Sequence, residues 1–388
     1  MSVVINTNPS GDPSVHDALW HVVSSDNSGT TDFKYVFDIW VGGEQKIRVK
    51  QFPEPSSGKG YFDAGPTVRN EMLYEWFEPT DASVLVDQPD MSGEIGIRYQ
   101  LRVGEEVSGV TTINMASGDV SAFNWAPPLL KRRITGLNDK VNRFLTNRPL
   151  YAATNPGENL FVGFYLEPGL TSTDFNVQPF DFANNSPGVT TVTLNGLTER
   201  FLQLNIGSAA INATTAVLIT DAIRYYDVWL NGQSAYKIRV YTKCNPKYTC
   251  VPVHFLNRWG LWDTQRFDLA SRLEMKIDRK GYGKRDYEFN GNSVDYMSSA
   301  NRYYAGKIDY SNKANWNYKL TADAMTDAEY EWIADLIQSP QILLEIDGYF
   351  YPATIKQNDY EYRKFVNDKL KALEVEFEFN SERYTQLR

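Results

Sequence analysis

The stretch FKYVFDIWVGGEQKIRVK, residues 33-50, decides the fold class. Phe33, Tyr35, Phe37, Ile39 and Val41 fall at alternate positions, with Lys34, Val36, Asp38 and Trp40 between them. Gly42-Gly43 separates this run from a second, Gln45 to Lys50. A period of two sends successive side chains to opposite faces of a strand. A Gly-Gly pair supplies the positive φ angles that a two-residue hairpin turn needs. Phe52-Pro53-Glu54-Pro55 then stops the second strand, because proline has no N–H to give a ladder.

The same period recurs along the chain. Ile95, Ile97, Tyr99, Leu101 and Val103 alternate with polar residues and predict a strand that Gly104-Glu105-Glu106 ends. Further strands are predicted at 159-166, 190-194, 200-206 and 215-230, with Ala209 to Thr220 readable as strand or helix. Asn231-Gly232 predicts another tight hairpin turn. VPVHFLNRWGLWDTQRF, from Val251, reads as strand, corner at Arg258-Trp259-Gly260, strand. Lys284 to Asn315 is polar and Tyr-rich, with ambiguous strands.

Helical signals are few. Pro66 predicts a short helix within 66-78, as proline suits a first helical position. Thr326-Asp327-Ala328-Glu329 is a capping box, followed by Trp332, Ile333, Leu336 and Ile337 at helical spacing and by Ser339-Pro340. QILLEI, Asp347-Gly348 and YFYPATI then predict a hairpin. In the last strand Leu373, Val375, Phe377 and Phe379 face one way. Glu374, Glu376 and Glu378 face the other, as a solvated face that guards an edge against aggregation.

These signals imply a mainly β, multi-domain chain with antiparallel β-sandwich or barrel-like sheets and a small α+β C-terminal unit. The expected organisation is an extended N-terminal arm over 1-32, a β domain with a hairpin over 33-106, a variable β-rich insertion or middle domain over 107-250, and a C-terminal β domain over 251-388 with one capped helix at about 326-338. At 388 residues the chain can bury sizeable cores without staples. Aromatics are 14%, led by 24 Tyr and 20 Phe, which suits strands and protein interfaces alike.

Net charge is -9, which argues against a nucleic-acid footprint, and the basic triplet Lys131-Arg132-Arg133 reads as solvated surface. The polar start, Met1 to Asp12, lacks the pattern of an export signal, so synthesis and folding in a cytoplasm are expected. With no run of 18 apolar residues, no membrane span is expected. Cys244 and Cys250 form neither a disulfide framework nor a zinc signature, and a bridge between them stays open.

Chemistry-bearing patterns are scarce. The histidines are His16, His21 and His254. His254 and Cys250, four apart on a strand, would lie about 13 Å from each other, too far for a nucleophile and its base. Glu105-Glu106 and the glutamates of the last strand lack His companions for a metal site. Phosphate-loop, dinucleotide and nucleophile-elbow motifs are missing, and Gly281-Tyr282-Gly283 reads as a turn. Trp259 and Trp262, flanking Gly260, are candidates for a sugar platform or for anchors of a sheet corner or subunit contact. The expected set of catalytic, cofactor-binding and metal-binding residues is therefore empty, and no cofactor is expected.

Residues 33-72, 254-269 (HFLNRWGLWDTQRFDL) and 321-386 together, in this order and spacing, resemble tail-associated structural proteins of phages and prophages of Bacteroidetes-type bacteria. Residues 107-250 carry little of the likeness, and its motifs are structural, so no active-site residue is implied. The resemblance implies a non-enzymatic virion component similar in role to distal-tail or ring proteins of the tail or baseplate. It implies partners that are copies of itself in a ring and neighbouring tail proteins, with no sequence-specific nucleic acid. Two alternatives stand beside it: a receptor- or glycan-binding tail component, which requires Trp259, Trp262 or Tyr-rich loops to face solvent, and a glycan-degrading tail enzyme, which requires two carboxylates in a cleft.

Overall fold

A computed structural model describes residues 3-73, 85-89, 93-126, 137, 140-230, 232-242, 248-283, 287-296, 307-356, 371-379 and 383-387. The protein is mainly β, with 53% strand and 9% helix, as the period of two requires. Its sheets stay open, none closing into a barrel. The chain divides into two compact units, Met1–Cys244 with His254–Thr264, and Asn245–Val253 with Gln265–Arg388. The boundaries expected after residues 32 and 106 do not separate units, because the segments on either side share one core.

The N-terminal part of the first unit contains β1 (Val3–Thr7), β2 (Trp20–Ser25), β3 (Lys34–Val41), β4 (Glu44–Gln51), β5 (Gly60–Asp63), α1 (Gly65–Asn70), β6 (Val86–Asp87), β7 (Gly96–Val107), β8 (Val110–Ala116) and β9 (Val120–Phe123). One sheet runs β1-β2-β5 and another β4-β3-β7-β8, with β9 also on β7. Val3, Val23 and Phe62 from the first sheet and Tyr35, Phe37, Ile39, Tyr99 and Leu101 from the second belong to one buried cluster, so the pair is a sandwich. The Gly42-Gly43 hairpin has the two-residue loop its sequence predicts, with Val41 opposite Glu44 and φ of 58° and 83° at the glycines.

Two expectations are corrected here, and a third is met. Residues 1-32 do not form a free arm over their described part: β1 and β2 join a sheet, and Val15, Leu19 and Val23 are buried. The strand of Ile95 to Val103 does not end at Gly104-Glu105-Glu106 but runs on to Val107. Gly104 is a close-approach glycine at a bulge, where an added Cβ would lie 2.2 Å from the Thr112 carbonyl oxygen. The helix at Pro66 covers Gly65–Asn70, and residues 74-78 lie outside the described residues.

The rest of the first unit holds β10 (Arg143–Leu145), β11 (Tyr151–Thr154), β12 (Phe161–Tyr165), β13 (Ser172–Asp181), β14 (Thr190–Asn195), β15 (Phe201–Asn205), α2 (Ser208–Thr214), β16 (Ile223–Leu230) and β17 (Ile238–Thr242). Sheets β10-β12-β15-β6 and β11-β17-β16-β13-β14 face each other across a second core, with Val162, Phe164 and Leu204 on one side and Val177, Tyr226 and Val228 on the other. Residues 107-157 are thus strand-bearing, with β10 and β11 only three and four residues long, too short to show a period. The ambiguous Ala209 to Thr220 resolves as helix to Thr214 and not as strand. β16 and β17 pair antiparallel, but not through the expected two-residue turn: the ladder starts at Val228 opposite Ile238, a 3-10 turn spans Ser234–Tyr236, and Asn231 lies outside the described residues.

The second unit follows with β18 (Val251–Leu256), β19 (Trp262–Phe267), β20 (Arg272–Gly283), β21 (Tyr287–Asn290), β22 (Ser293–Tyr296), β23 (Lys307–Met325), α3 (Asp327–Gln338), β24 (Ile342–Ile346), β25 (Tyr349–Ile355), β26 (Lys371–Phe379) and β27 (Arg383–Leu387). β18 and β19 begin or end in the first unit, since His254–Thr264 belongs there. The sheet order β24-β25-β26-β23-β20 places β26 inside the sheet, so Glu374, Glu376 and Glu378 do not guard an edge. They stand among cross-strand cations and amides: Asn317 Nδ2 donates to Glu376 at 3.0 Å, and Lys356 Nζ lies 3.5 Å from both Glu376 and Glu378. The α3 capping box is complete, with Thr326 N–H donating to Glu329 at 2.7 Å and Glu329 N–H donating to Thr326 Oγ1 at 3.4 Å.

Candidate functional site

The corner between β18 and β19 gathers the residues the sequence singles out. Asn257 organises it. Its Oδ1 accepts from the Trp259 N–H at 2.9 Å and from the Leu261 N–H at 3.4 Å, while its Nδ2 donates to the Leu145 carbonyl at 2.9 Å. Its backbone exchanges bonds with Leu261 and Gly260. Gly260 has φ of 74° and lies against Asn124, with the Ala126 N–H donating to the Arg258 carbonyl beside it. Gln203 grips Trp262 from both sides, accepting from its N–H at 2.7 Å and donating to its carbonyl at 3.0 Å.

This geometry removes the sugar-platform role for the two tryptophans. Trp259 is 5% exposed and packs 5.8 Å from Trp125, and Trp262 is fully buried. A side chain inside one chain gains no exposure on assembly, so the condition the glycan reading sets for Trp259 and Trp262 is not met. They anchor the corner, the other role open to them in the sequence.

The titratable groups are likewise held in structural bonds. His254 is buried, with Nδ1 2.8 Å from Thr264 Oγ1 and its ring edge-on to Phe161. Thr264 Oγ1 in turn accepts the Phe161 N–H at 2.9 Å. His16 Nε2 meets Asn124 Oδ1 at 2.9 Å. Cys250 Sγ accepts from Arg266 Nε at 3.1 Å, while Cys244 lies outside the described residues, as do Lys131, Arg132 and Arg133. Asp12, Arg200 and Tyr165 form a clasp of hydrogen bonds, with Trp125 Nε1 donating to the Asp12 carbonyl at 3.1 Å. Burial, together with the Asp12 carboxylate, pushes the Tyr165 phenol up.

His21 is the most perturbed histidine. It is buried between Asn8 Oδ1, 2.9 Å from Nδ1, and the Tyr99 hydroxyl, 3.0 Å from Nε2. Desolvation lowers its pKa from 6.5 to about 4, against a small opposing pull from Asp63. A histidine depressed on folding contributes stability that is present above its unfolded pKa and is lost as pH falls through its folded one. Between pH 6.5 and about 4 the wild type should therefore lose roughly 3 kcal/mol that a His21→Gln variant does not lose. Paired urea titrations near both ends of that window measure the difference. Parallel curves for the two proteins would show that His21 is charged when folded.

Two neighbouring cavities open in the first unit. The larger, of about 440 Å³, is lined by Arg98, Glu167, Glu199 and Arg200, and the smaller, of about 260 Å³, by the Asn8 to Pro13 segment and again Arg200. Two of these charges are paired across the lining, Arg98 with Glu199 at 3.2 Å and Arg200 with Asp12, while Glu167 accepts a hydrogen bond from the neutral Asn142 Nδ2 at 3.1 Å. Among the described residues no group of three His, Cys, Asp or Glu side chains could hold a metal, and no helix is long and apolar enough to cross a membrane.

What stands out on the surface is β20. Leu273, Met275 and Ile277 lie on one face of it, between 42% and 56% exposed. They pair with Tyr318, Trp316 and Ala314 of β23, and Tyr318 stacks on Phe379 at 6.4 Å. The row continues the face that buries Leu320, Val375 and Phe377 and then runs out uncovered. Sequence reasoning missed it, although RLEMKID alternates as clearly as the opening hairpin. No family model and no curated protein matches this chain.

Proposed function

We propose that this chain is a virion structural protein of a phage tail that assembles with its own copies as a symmetric ring or adaptor around the tail axis, and is not an enzyme. The observation that carries the assembly part is the exposed apolar row on β20, since contiguous exposed apolar surface marks interaction sites. The phage-tail part rests on the resemblance of residues 33-72, 254-269 and 321-386. In this role the protein is made in the host cytoplasm and ends in the virion, with neighbouring tail or baseplate proteins as further partners. Repeated subunits around an axis need contacts that close on themselves. A net charge of -9 suits a ring through which DNA slides without adhering.

Electron microscopy of the purified full chain tests the assembly: closed rings, or their loss from particles lacking the protein, are the expected result. A monodisperse monomer absent from every particle overturns it. Duplex DNA binding at physiological salt would sink the passage role.

A further inference from the structure

β20 ends its sheet. β23 pairs with it on one side, and among the described residues no strand pairs with the other. Alternate residues among its 12 therefore direct backbone N–H and C=O groups away from β23, along an edge that no described strand occupies. Opposite the apolar face of Leu273, Met275 and Ile277, the other face carries Arg272, Glu274, Lys276 and Asp278, alternating in sign. An edge guarded by charge of one sign repels its own copy. This one does not, provided the second copy runs the other way.

Placing a two-fold axis at Met275 sets Glu274 opposite Lys276 and Arg272 opposite Asp278 on the charged face. On the apolar face it sets Leu273 opposite Ile277 and Met275 opposite its own equivalent. A parallel, in-register pairing stacks every charge on itself. Moving the axis to Ile277 sets Met275 against Arg279 and Leu273 against Gly281. Of these arrangements, the axis at Met275 matches both faces.

We infer that β20 pairs antiparallel with β20 of a second copy of this chain, about a two-fold axis at Met275, joining two sheets into one. The contact is isologous, with strand addition supplying main-chain hydrogen bonds and the alternating side chains fixing register. It rests on the assembly reading and names a two-fold contact that joins subunits in pairs, distinct from the heterologous contact that closes a ring. The uncovered row of Leu273, Met275 and Ile277 would meet its copy, extending an apolar face that each sheet already buries at Leu320, Val375 and Phe377.

Sedimentation of the full chain across a concentration series tests this. The wild type should associate with two-fold stoichiometry at this contact. Lys276→Glu sets like charges together at two symmetric places and should weaken association about tenfold. The double swap Glu274→Lys/Lys276→Glu restores opposite signs and should restore association. Lys276→Glu is the cleaner single change, because Glu274 already lies 3.7 Å from Lys319 in its own chain. Circular dichroism confirms folding; should Lys276→Glu not fold, Asp278→Lys makes the same test against Arg272. Association that ignores these changes, or a double swap that fails to rescue, overturns the β20 contact while leaving the assembly reading standing. A wild type that never associates removes both.

Discussion

Gly260→Ala should cost the first unit about 2 to 5 kcal/mol, a large share of a typical domain's stability. Two effects add. The backbone at Gly260 has φ of 74°, a region in which a side chain costs about 1 to 2 kcal/mol. An added Cβ would also lie 2.6 Å from the Asn124 carbonyl oxygen, a backbone atom that cannot swing away as a side-chain tip can. Forcing that contact apart adds about 1 to 3 kcal/mol of overpacking. Gly196→Ala separates the terms, because Gly196 has φ of 71° in the same unit and nothing within 4 Å of its Cβ position. It should cost only the backbone part. Denaturant midpoints of the two variants give the comparison, and equal losses would mean that Asn124 moves aside freely.

The contrast between those glycines shows what the sequence could and could not reveal. Gly42-Gly43 and Asp347-Gly348 were legible as turns because a two-residue hairpin is a local object, and the structure places Val41 opposite Glu44 and Ile346 opposite Tyr349. The capping box at Thr326 is local in the same sense, closed by groups three residues apart. Gly104 and Gly260 looked the same as the turn glycines, but their meaning lies in what comes close: Thr112 in one case and Asn124, more than a hundred residues away, in the other. The N-terminal segment has the composition of an arm because its many polar residues hide single anchors. Val15 and Leu19 are buried there, and Ser14 and Asp12 reach Trp125 and Arg200. The strands of 107-157 were unreadable for the opposite reason, since β10 and β11 are too short to show a period.

At the corner, the tryptophans drew attention by their rarity, yet the organising residue is Asn257, an unremarkable letter in a sequence. An amide that serves two N–H groups and one carbonyl in a buried bend is recognisable only once the bend exists. The charge order of β20 is a different kind of signal. It was present in the sequence but has no meaning until the sheet order shows that β20 is an edge. Periodicity gives the faces of a strand; topology decides which of its sides remain open.

Leu261→Ala should be the companion of Gly260→Ala in size, and its coupling to Gly163 reports how the corner meets the strand beneath it. Leu261 is fully buried, so its truncation should cost about 2 to 5 kcal/mol through lost contacts and the cavity left behind. Gly163, in the middle of β12, lies directly below: a Cβ there would sit 2.4 Å from Leu261 Cδ1 and 2.8 Å from its Cβ. Gly163→Ala alone should therefore cost about 1 to 3 kcal/mol by overpacking. In the double variant the new methyl occupies space that Leu261 vacated, although the remaining Cβ of residue 261 keeps the fit imperfect. The pair should thus cost about 1 to 2 kcal/mol less than the sum of the singles, the sign expected of neighbours that compete for one volume. Denaturant unfolding of the four proteins closes the cycle. A simple sum would mean that β12 and the corner relax independently, and that the packing of Gly163 under Leu261 does not hold His254–Thr264 in the first unit. A negative coupling would make that packing, rather than any binding role of the Trp/Gly motif, the reason this stretch of sequence is built as it is.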